Sequence, residues 1–353
     1  MIQIDGQRPV SDWPHPATSY EADALTFCRA WQSGQTEFVL HTSGSTGQPK
    51  PITLTRAQMR ASARLTGQTL GLQPGDSALV CLNVRYIAGV MMLVRGLELG
   101  LRMSIIEPSG NPLADFPAET RFAFTALVPL QLQSMLEHAT DKLPVLNGMK
   151  AILVGGAATS PALERAIQAI TAPVYATYGM TETVSHIALR RLNGPGATEV
   201  FTALEGVRLG TDERGCLHIT SAATNGEPVQ TNDVVELLDA TRFRLLGRAD
   251  SIINSGGVKV QPEAVERIVQ DVLAASGPVP RLFVAGLPDE RLGQRVVVFV
   301  EQQRLDAELW AAAQARVRER LGPYHVPKDA ITVGQFAETP TGKVDKHRIV
   351  NSY

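Results

Sequence analysis

Between Phe38 and about Thr177, short apolar runs (FVLH, ALVCL, MSIIE, FTALV, AILVGG, PVYATY) alternate with longer segments in which apolar residues return every three or four positions. Short apolar runs suit strands covered on both faces, and the periodic segments suit the helices that cover them. The alternation predicts α/β layering around a largely buried sheet. Two helix starts are readable. Thr55 stands as an N-cap before the following RAQMRASARLTGQTLGL, and Ser160 followed by Pro161 opens PALERAIQAI. From about Thr198 to Gly247 the pattern shortens to strands separated by Gly, Asp and Asn turns such as TDERG and ATNGEP, which predicts a β-rich subdomain closing the first unit. After Gly247 a new pattern begins, with a strand and turn in IINSGGVKV, a helix opened by Pro262, two strands and a helix from about Asp306 to Leu321. The expected organisation is an α/β large N-terminal domain over residues 1–247 and a small α+β C-terminal domain over residues 251–353.

Length agrees, since 353 residues exceed one small core and suffice for two. Charge then narrows the partners. With 33 basic and 35 acidic side chains there is no basic field for nucleic acid or an anionic membrane, so small molecules are expected. Cys28, Cys81 and Cys216 are far apart and in no paired spacing, which argues against disulfides and a zinc site and fits a reducing cytoplasm. The N-terminal stretch lacks the basic start and apolar run of a secretory signal. The longest apolar stretch, Ile87 to Leu101, is too short for a bilayer and is broken by Arg95 and Glu98, so no membrane anchor is expected.

Candidate chemistry begins at HTSGSTGQPK, His41 to Lys50. Gly44 and Gly47 let the backbone approach an anion, Thr42, Ser43, Ser45 and Thr46 add hydroxyl donors, and Lys50 adds a charge, which together read as a phosphate grip. Gln48 and Pro49 break the Walker spacing, and a plain polar turn accounts for the same residues locally. Further on, Tyr178-Gly179-Met180-Thr181-Glu182 follows a strand and ends in a carboxylate that suits Mg²⁺ beside a triphosphate, though a Thr-Glu pair alone is also a helix cap. Gly155-Gly156-Ala157-Ala158 ends another strand with room for a flat ring, or is an ordinary strand-to-helix turn. Thr231-Asn232-Asp233 and Gly247-Arg248-Ala249-Asp250 add two charged turns, the second readable as a surface salt bridge. Near the C-terminus, Pro340-Thr341-Gly342-Lys343 offers a lysine on a turn that could offset charge building between two anions, or simply a solvated side chain.

In order, and over most of the chain from Phe38 to Lys346, these motifs resemble those of the superfamily of acyl-CoA synthetases, luciferases and nonribosomal-peptide adenylation domains. The resemblance implies an enzyme that uses ATP and Mg²⁺ to turn a carboxylic acid into its acyl-AMP and passes the acyl group to coenzyme A. It assigns Glu182 to the metal, Thr181 to the α-phosphate, Gly155, Gly156 and Ala157 to the edge of adenine, and Asp233 to the ribose hydroxyls. Tyr178, Gly179, Arg248 and the loop from Thr42 to Lys50 complete the nucleotide site. Asn232 stands where relatives have Gly, a change compatible with a turn because Asn tolerates left-handed angles. Asp250 becomes the hinge, Gly256 and Gly257 flank the pantetheine arm, and Lys343 becomes the catalytic lysine of adenylation.

The acid is read from Asn83 to Leu101. No acidic residue stands in NVRYIAG, so an α-amino acid is not expected. Arg95 lies among apolar residues where an unpaired guanidinium is costly, so it needs an anion: either Glu98 one helical turn on, or a second carboxylate on the substrate. The o-succinylbenzoate:CoA ligases of menaquinone synthesis act on a diacid, carry an Arg at the matching place and share the wording VPLQLQSML and SGGVKVQPEAVE. Their substrate is therefore the expectation. Tyr86 and Leu130 depart from many relatives, which have His and Thr there, and His186 either lines the acyl pocket or is a core histidine. The resemblance implies a long segment upstream of the phosphate loop, so a large domain truncated relative to the family is expected. A homodimer covering the exposed sheet is expected.

Overall fold

The computed structural model describes residues 1–41, 51–277, 279–339 and 344–353. In chain order the first part runs β1 (Ile2–Asp5), α1 (Ser19–Gln32), β2 (Glu37–His41), β3 (Pro51–Thr55), α2 (Arg56–Leu70), β4 (Ser77–Val80), α3 (Ile87–Leu99), β5 (Arg102–Ile105) and β6 (Phe124–Leu127). It continues through α4 (Pro129–His138), α5 (Leu143–Asn147), β7 (Ala151–Val154), α6 (Pro161–Ala166), β8 (Val174–Gly179) and β9 (His186–Arg191). The last strands before the junction are β10 (Phe201–Ala203), β11 (Arg208–Thr211), β12 (Cys216–Thr220), β13 (Val229–Leu237) and β14 (Arg242–Arg248).

Twelve of these strands make one sheet in the order β1-β5-β4-β6-β7-β8-β9-β10-β14-β13-β12-β11. Its middle is parallel, β5-β4-β6-β7-β8, and every residue of β6 and β7 is buried, as a sheet covered on both faces requires. At β8 the direction reverses: β9 returns antiparallel, and the short strands expected as a β-rich subdomain closing the first unit extend the same sheet. The helix starts are as the sequence indicates. Thr55 and Gln58 form a capping box for α2, and Ser160 accepts from the Leu163 amide at the start of α6. The α-helical part of PALERAIQAI covers only Pro161–Ala166 and tightens into a 3₁₀ turn.

Two features differ from the sequence reading. The run FVLH does not enter the large sheet; β2 pairs only with β3, in a two-stranded ladder. Its burial explains this, because Phe38 and Leu40 point inward while Val39 is 61% exposed, so the strand has one apolar face rather than two. Upstream of Phe38 lie two elements the reading passed over. Ile2 and Ile4 alternate with exposed Gln3 in β1, which pairs antiparallel with β5 and closes that side of the parallel strands. Helix α1, capped by Thr18, buries Ala24, Leu25, Cys28 and Trp31; Trp31 stacks on Phe38 and Phe27 packs against it at a tilt.

The second part contains β15 (Ile253–Ser255), β16 (Val258–Val260), α7 (Pro262–Leu273), β17 (Leu282–Asp289), β18 (Gly293–Glu301), α8 (Ala307–Leu321), β19 (Asp329–Val333) and α9 (Lys346–Val350). Its five strands form their own sheet. One face buries Val265, Val269, Val296, Val298, Ala313 and Val317, and the other Phe283, Phe299, Phe336 and Ile349. These clusters are separate from the large core, which ends at Phe243 in the sequence. Ion pairs from Arg267 to Glu199 (2.6 Å) and from Arg165 to Asp271 (3.3 Å) link the two parts. Among the described residues no helix is long and apolar enough to cross a membrane. All three cysteines are free and buried.

Candidate active site

Parallel strands β7 and β8 lie side by side, so the loops at their C-terminal ends are neighbours. In open α/β sheets this is the end where ligands bind. Gly155, just after β7, is required by the close approach: a Cβ there would lie 2.2 Å from Thr177 Oγ1. Gly156 takes φ +85°, and Gly156 and Ala157 are exposed, leaving an open rim beside Tyr178 and Gly179.

Three of the sequence motifs meet at the carboxylate of Asp233. The Tyr178 hydroxyl donates to Oδ2 at 2.6 Å, and Arg248 Nη1 donates to Oδ1 at 3.2 Å. Asp233 and Arg248 are direct cross-strand partners in the β13–β14 ladder, which fixes their pairing. Arg248 also grips Asp250 through Nε at 2.8 Å and Nη2 at 2.6 Å. Burial first, and the Asp233 charge second, push the Tyr178 hydroxyl pKa upward, so Tyr178 remains a donor. Asn232 lies within β13 and is not among the residues with positive φ, so the left-handed angle invoked for it is not used.

Between β8 and β9 the chain makes a tight turn. Gly179 has no room for a side chain, since a Cβ would lie 2.3 Å from Ser185 O and 2.6 Å from His186 Cα. The Met180 amide donates to Thr183 Oγ1 at 3.0 Å, and Val184 sits at φ +67°, a strained angle for a β-branched residue. Thr181 is buried in this turn and Glu182 is exposed. Glu182 makes no ion pair with another described residue, and no group of three or more His, Cys, Asp or Glu side chains gathers among the described residues. One free carboxylate beside a polyphosphate suits Mg²⁺, which usually keeps waters and phosphate oxygens as its other ligands.

On the far side of the same turn Ser185 and His186 point at Arg95, which is 3% exposed. Arg95 Nε donates to Thr66 Oγ1 at 3.3 Å, Nη2 donates to Ser185 Oγ at 2.5 Å and lies 3.5 Å from His186 Nδ1. Burial lowers the Arg95 pKa to about 10, which still leaves it charged at neutral pH. Burial and then Arg95 hold His186 well below its ordinary pKa, so the imidazole is neutral. The alternative partner is excluded by geometry. Glu98 accepts from Trp31 Nε1 at 3.1 Å and faces Arg60 at 2.9 Å, Arg64 at 3.7 Å and Arg56 at 4.0 Å. No described carboxylate lies within ion-pair distance of Arg95.

Tyr86 is the half-buried N-cap residue of α3, and Leu130 is exposed on α4. Gly256 and Gly257 turn the β15–β16 hairpin at φ +60° and +81°, with Gly256 beside Tyr324 and Leu292. Thr42, Ser43, Gly44, Ser45, Thr46, Gly47, Lys50 and Lys343 lie outside the described residues. Sequence reasoning missed Thr66 and Ser185; the signal for Ser185 was its place beside His186, and Thr66 carried none beyond a polar residue on the buried side of a helix.

Comparison with known proteins shows the family and the fold. The family described as AMP-binding enzyme matches residues 1–242, and the AMP-binding enzyme C-terminal domain matches residues 269–343. A protein of Mycobacterium tuberculosis named "Probable 2-succinylbenzoate--CoA ligase" is 32% identical, over 89% of this chain and 84% of its own. The 2-succinylbenzoate–CoA ligase of Listeria monocytogenes serotype 4b is 26% identical over 94% of this chain and 73% of its own. Among solved structures, an acyl-CoA synthetase (AMP-forming)/AMP-acid ligase II-like protein from Dyadobacter fermentans is 45% identical with a TM-score of 0.68, covering 100% of this chain and 99% of that one. The o-succinylbenzoate coenzyme A synthetase of Bacillus subtilis, in complex with ATP and magnesium ion, shares the fold at 21% identity and a TM-score of 0.72, covering 88% and 69%.

Proposed function

We propose that this chain, which belongs to the family of AMP-binding enzymes, is an ATP-dependent ligase joining 2-succinylbenzoate to coenzyme A, a step of menaquinone biosynthesis. The carrying observation is Arg95: a buried guanidinium held by neutral groups, with its nearest helical carboxylate, Glu98, committed elsewhere. A second carboxylate on the acid would supply the missing anion. The names of the relatives in Mycobacterium and Listeria support the same substrate.

In the first half-reaction the acid's other carboxylate attacks the α-phosphorus of ATP and pyrophosphate leaves. In the second, the thiol sulfur attacks the acyl carbon and AMP leaves as the proton is lost. Asp233, held between Tyr178 and Arg248, receives the ribose hydroxyls, and the rim from Gly155 to Ala157 borders the base. Glu182, with Thr181 beside it, would hold Mg²⁺, which neutralises phosphate charge. Lys343 serves adenylation, the Gly256–Gly257 turn admits the thiol arm, and rotation of the 251–353 domain about Asp250 exchanges them. A second copy of the chain covers the free edge of β1; a stable monomer in sedimentation at micromolar concentration would remove that part.

The test is pyrophosphate release over a panel of carboxylic acids, with and without coenzyme A. Turnover with 2-succinylbenzoate and thioester formation are expected. Turnover with benzoate or a fatty acid but none with 2-succinylbenzoate would overturn the substrate, and no release with any acid would favour a nucleotide-binding sensor of the same fold.

A further inference from the structure

A guanidinium carries five N–H donors, and the neighbours of Arg95 use them unevenly. The Nε and Nη2 side is taken by Thr66 at 3.3 Å and Ser185 at 2.5 Å, whereas among the described residues Nη1 faces only the sulfur of Met92 at 3.8 Å, a weak acceptor. One edge is clamped and one nitrogen is left for an acceptor that the described residues do not supply. Thr66 Oγ1 donates to Ser62 O at 3.0 Å, which turns its lone pairs toward Arg95 and toward His186 Nε2 at 3.3 Å. A neutral His186 with its hydrogen on Nε2 completes the set, giving that hydrogen to Thr66 and leaving Nδ1 to accept. The backbone enforces the Ser185 half of the clamp, because Val184 at φ +67° and the missing Cβ of Gly179 bring Ser185 back under the strand end.

We infer that Ser185 and Thr66 are positioning residues for substrate selection, fixing the Arg95 guanidinium from its Nε/Nη2 side so that Nη1 is presented to the distal carboxylate of a dicarboxylic acid. The inference rests on the proposed diacid ligase activity and adds residues that act only through Arg95. Without the clamp the long side chain regains rotamer freedom that substrate binding must then remove.

The experiment compares wild type with Ser185→Ala and Thr66→Val, and with the conservative variants Ser185→Thr and Thr66→Ser. KM and kcat are measured for 2-succinylbenzoate, for benzoate and for ATP, and folding is checked by thermal melting. Each hydroxyl removed should raise KM for the diacid about tenfold, the effect of a lost hydrogen bond to a charged group. KM for ATP and the benzoate parameters should change less than about threefold, and Thr66→Ser should restore most of the loss. Unchanged diacid KM in folded Ser185→Ala and Thr66→Val overturns the positioning role and leaves the ligase reading standing. Equal losses with diacid, benzoate and ATP overturn it in favour of a structural role. A wild-type enzyme that uses benzoate and no diacid overturns both readings. Should Ser185→Ala fail to fold, Thr66→Val alone carries the same decision.

Discussion

The Tyr178 hydroxyl lies 2.6 Å from Asp233 Oδ2 and is its donor, although the two residues are 55 positions apart. A carboxylate has about four acceptor sites, so with Tyr178 and Arg248 occupying one each, about two stay open for a vicinal diol. Tyr178→Phe leaves the ring packed on Phe201 and Phe243 and removes only this donor. KM for ATP should rise about tenfold at saturating acid, with kcat changed much less, as measured by pyrophosphate release. An unchanged KM would show that Arg248 alone orients Asp233.

Arg95→Leu tests what the buried charge is for. A charge-assisted bond to a carboxylate is worth more than a neutral one, so KM for 2-succinylbenzoate should rise roughly a hundredfold while a monoacid such as benzoate changes little. Similar losses with both acids would make Arg95 a packing residue.

Lys343→Ala separates the two half-reactions. Formation of acyl-AMP should fall by at least about a thousandfold, the scale of removing a group that stabilises transition-state charge. Supplied acyl-AMP and coenzyme A should still yield thioester at near wild-type rate. Equal loss in both steps would contradict rotation about Asp250.

What the sequence disclosed and what it hid have different physical origins. Gly256 was legible because its positive backbone angle is a local constraint, whereas the close approaches at Gly155 and Gly179 come from Thr177 and from Ser185 and His186, so those two were legible only through the motifs that contain them. Asp233 and Arg248 were legible through the motifs that contain them, although their cross-strand pairing is a property of sheet register. The fate of Arg95 was not legible. Helical spacing places Glu98 one turn away, yet Trp31 on α1 and Arg60 on α2 claim that carboxylate from other elements. Thr66 illustrates the same limit, since a threonine in a helix reads as surface until α3 and β9 pack over it. Strand β1 was hidden by its length, four residues in a polar context, and by its dependence on β5 as a partner.

Glu263 yields a pH prediction with a definite sign. At the start of α7 its Oε1 accepts from Ser251 Oγ at 3.2 Å, while among the described residues its buried Oε2 has no hydrogen-bond partner, and the buried Gln261 Oε1 likewise has none. Both orphan oxygens converge on Gly247, where a Cβ would lie 2.5 Å from Glu263 Oε2 and 2.6 Å from Gln261 Oε1. Burial is the largest cause raising the Glu263 pKa; a backbone hydrogen bond of Glu263 opposes it most, Glu266 adds to it, and Lys346 and Ser251 also oppose it. A carboxyl whose pKa is higher in the folded chain than in the unfolded one binds more protons when folded, so stability falls as pH rises through the interval between the two values. Below about pH 4.3, the ordinary glutamate value, both states are protonated and no penalty exists; above the folded value the penalty is complete. Glu263→Gln keeps an acceptor for Ser251 and removes the titration. Its melting temperature should therefore match wild type at acid pH and exceed it at neutral pH, by at most about 2–4 °C per kcal/mol recovered, the scale of a 150–250-residue chain. Taking the difference between variant and wild type at each pH cancels the other titrating groups. A variant that is less stable at neutral pH, with the gap closing on acidification, would show instead that Glu263 is charged in the folded chain and stabilised there by Lys346.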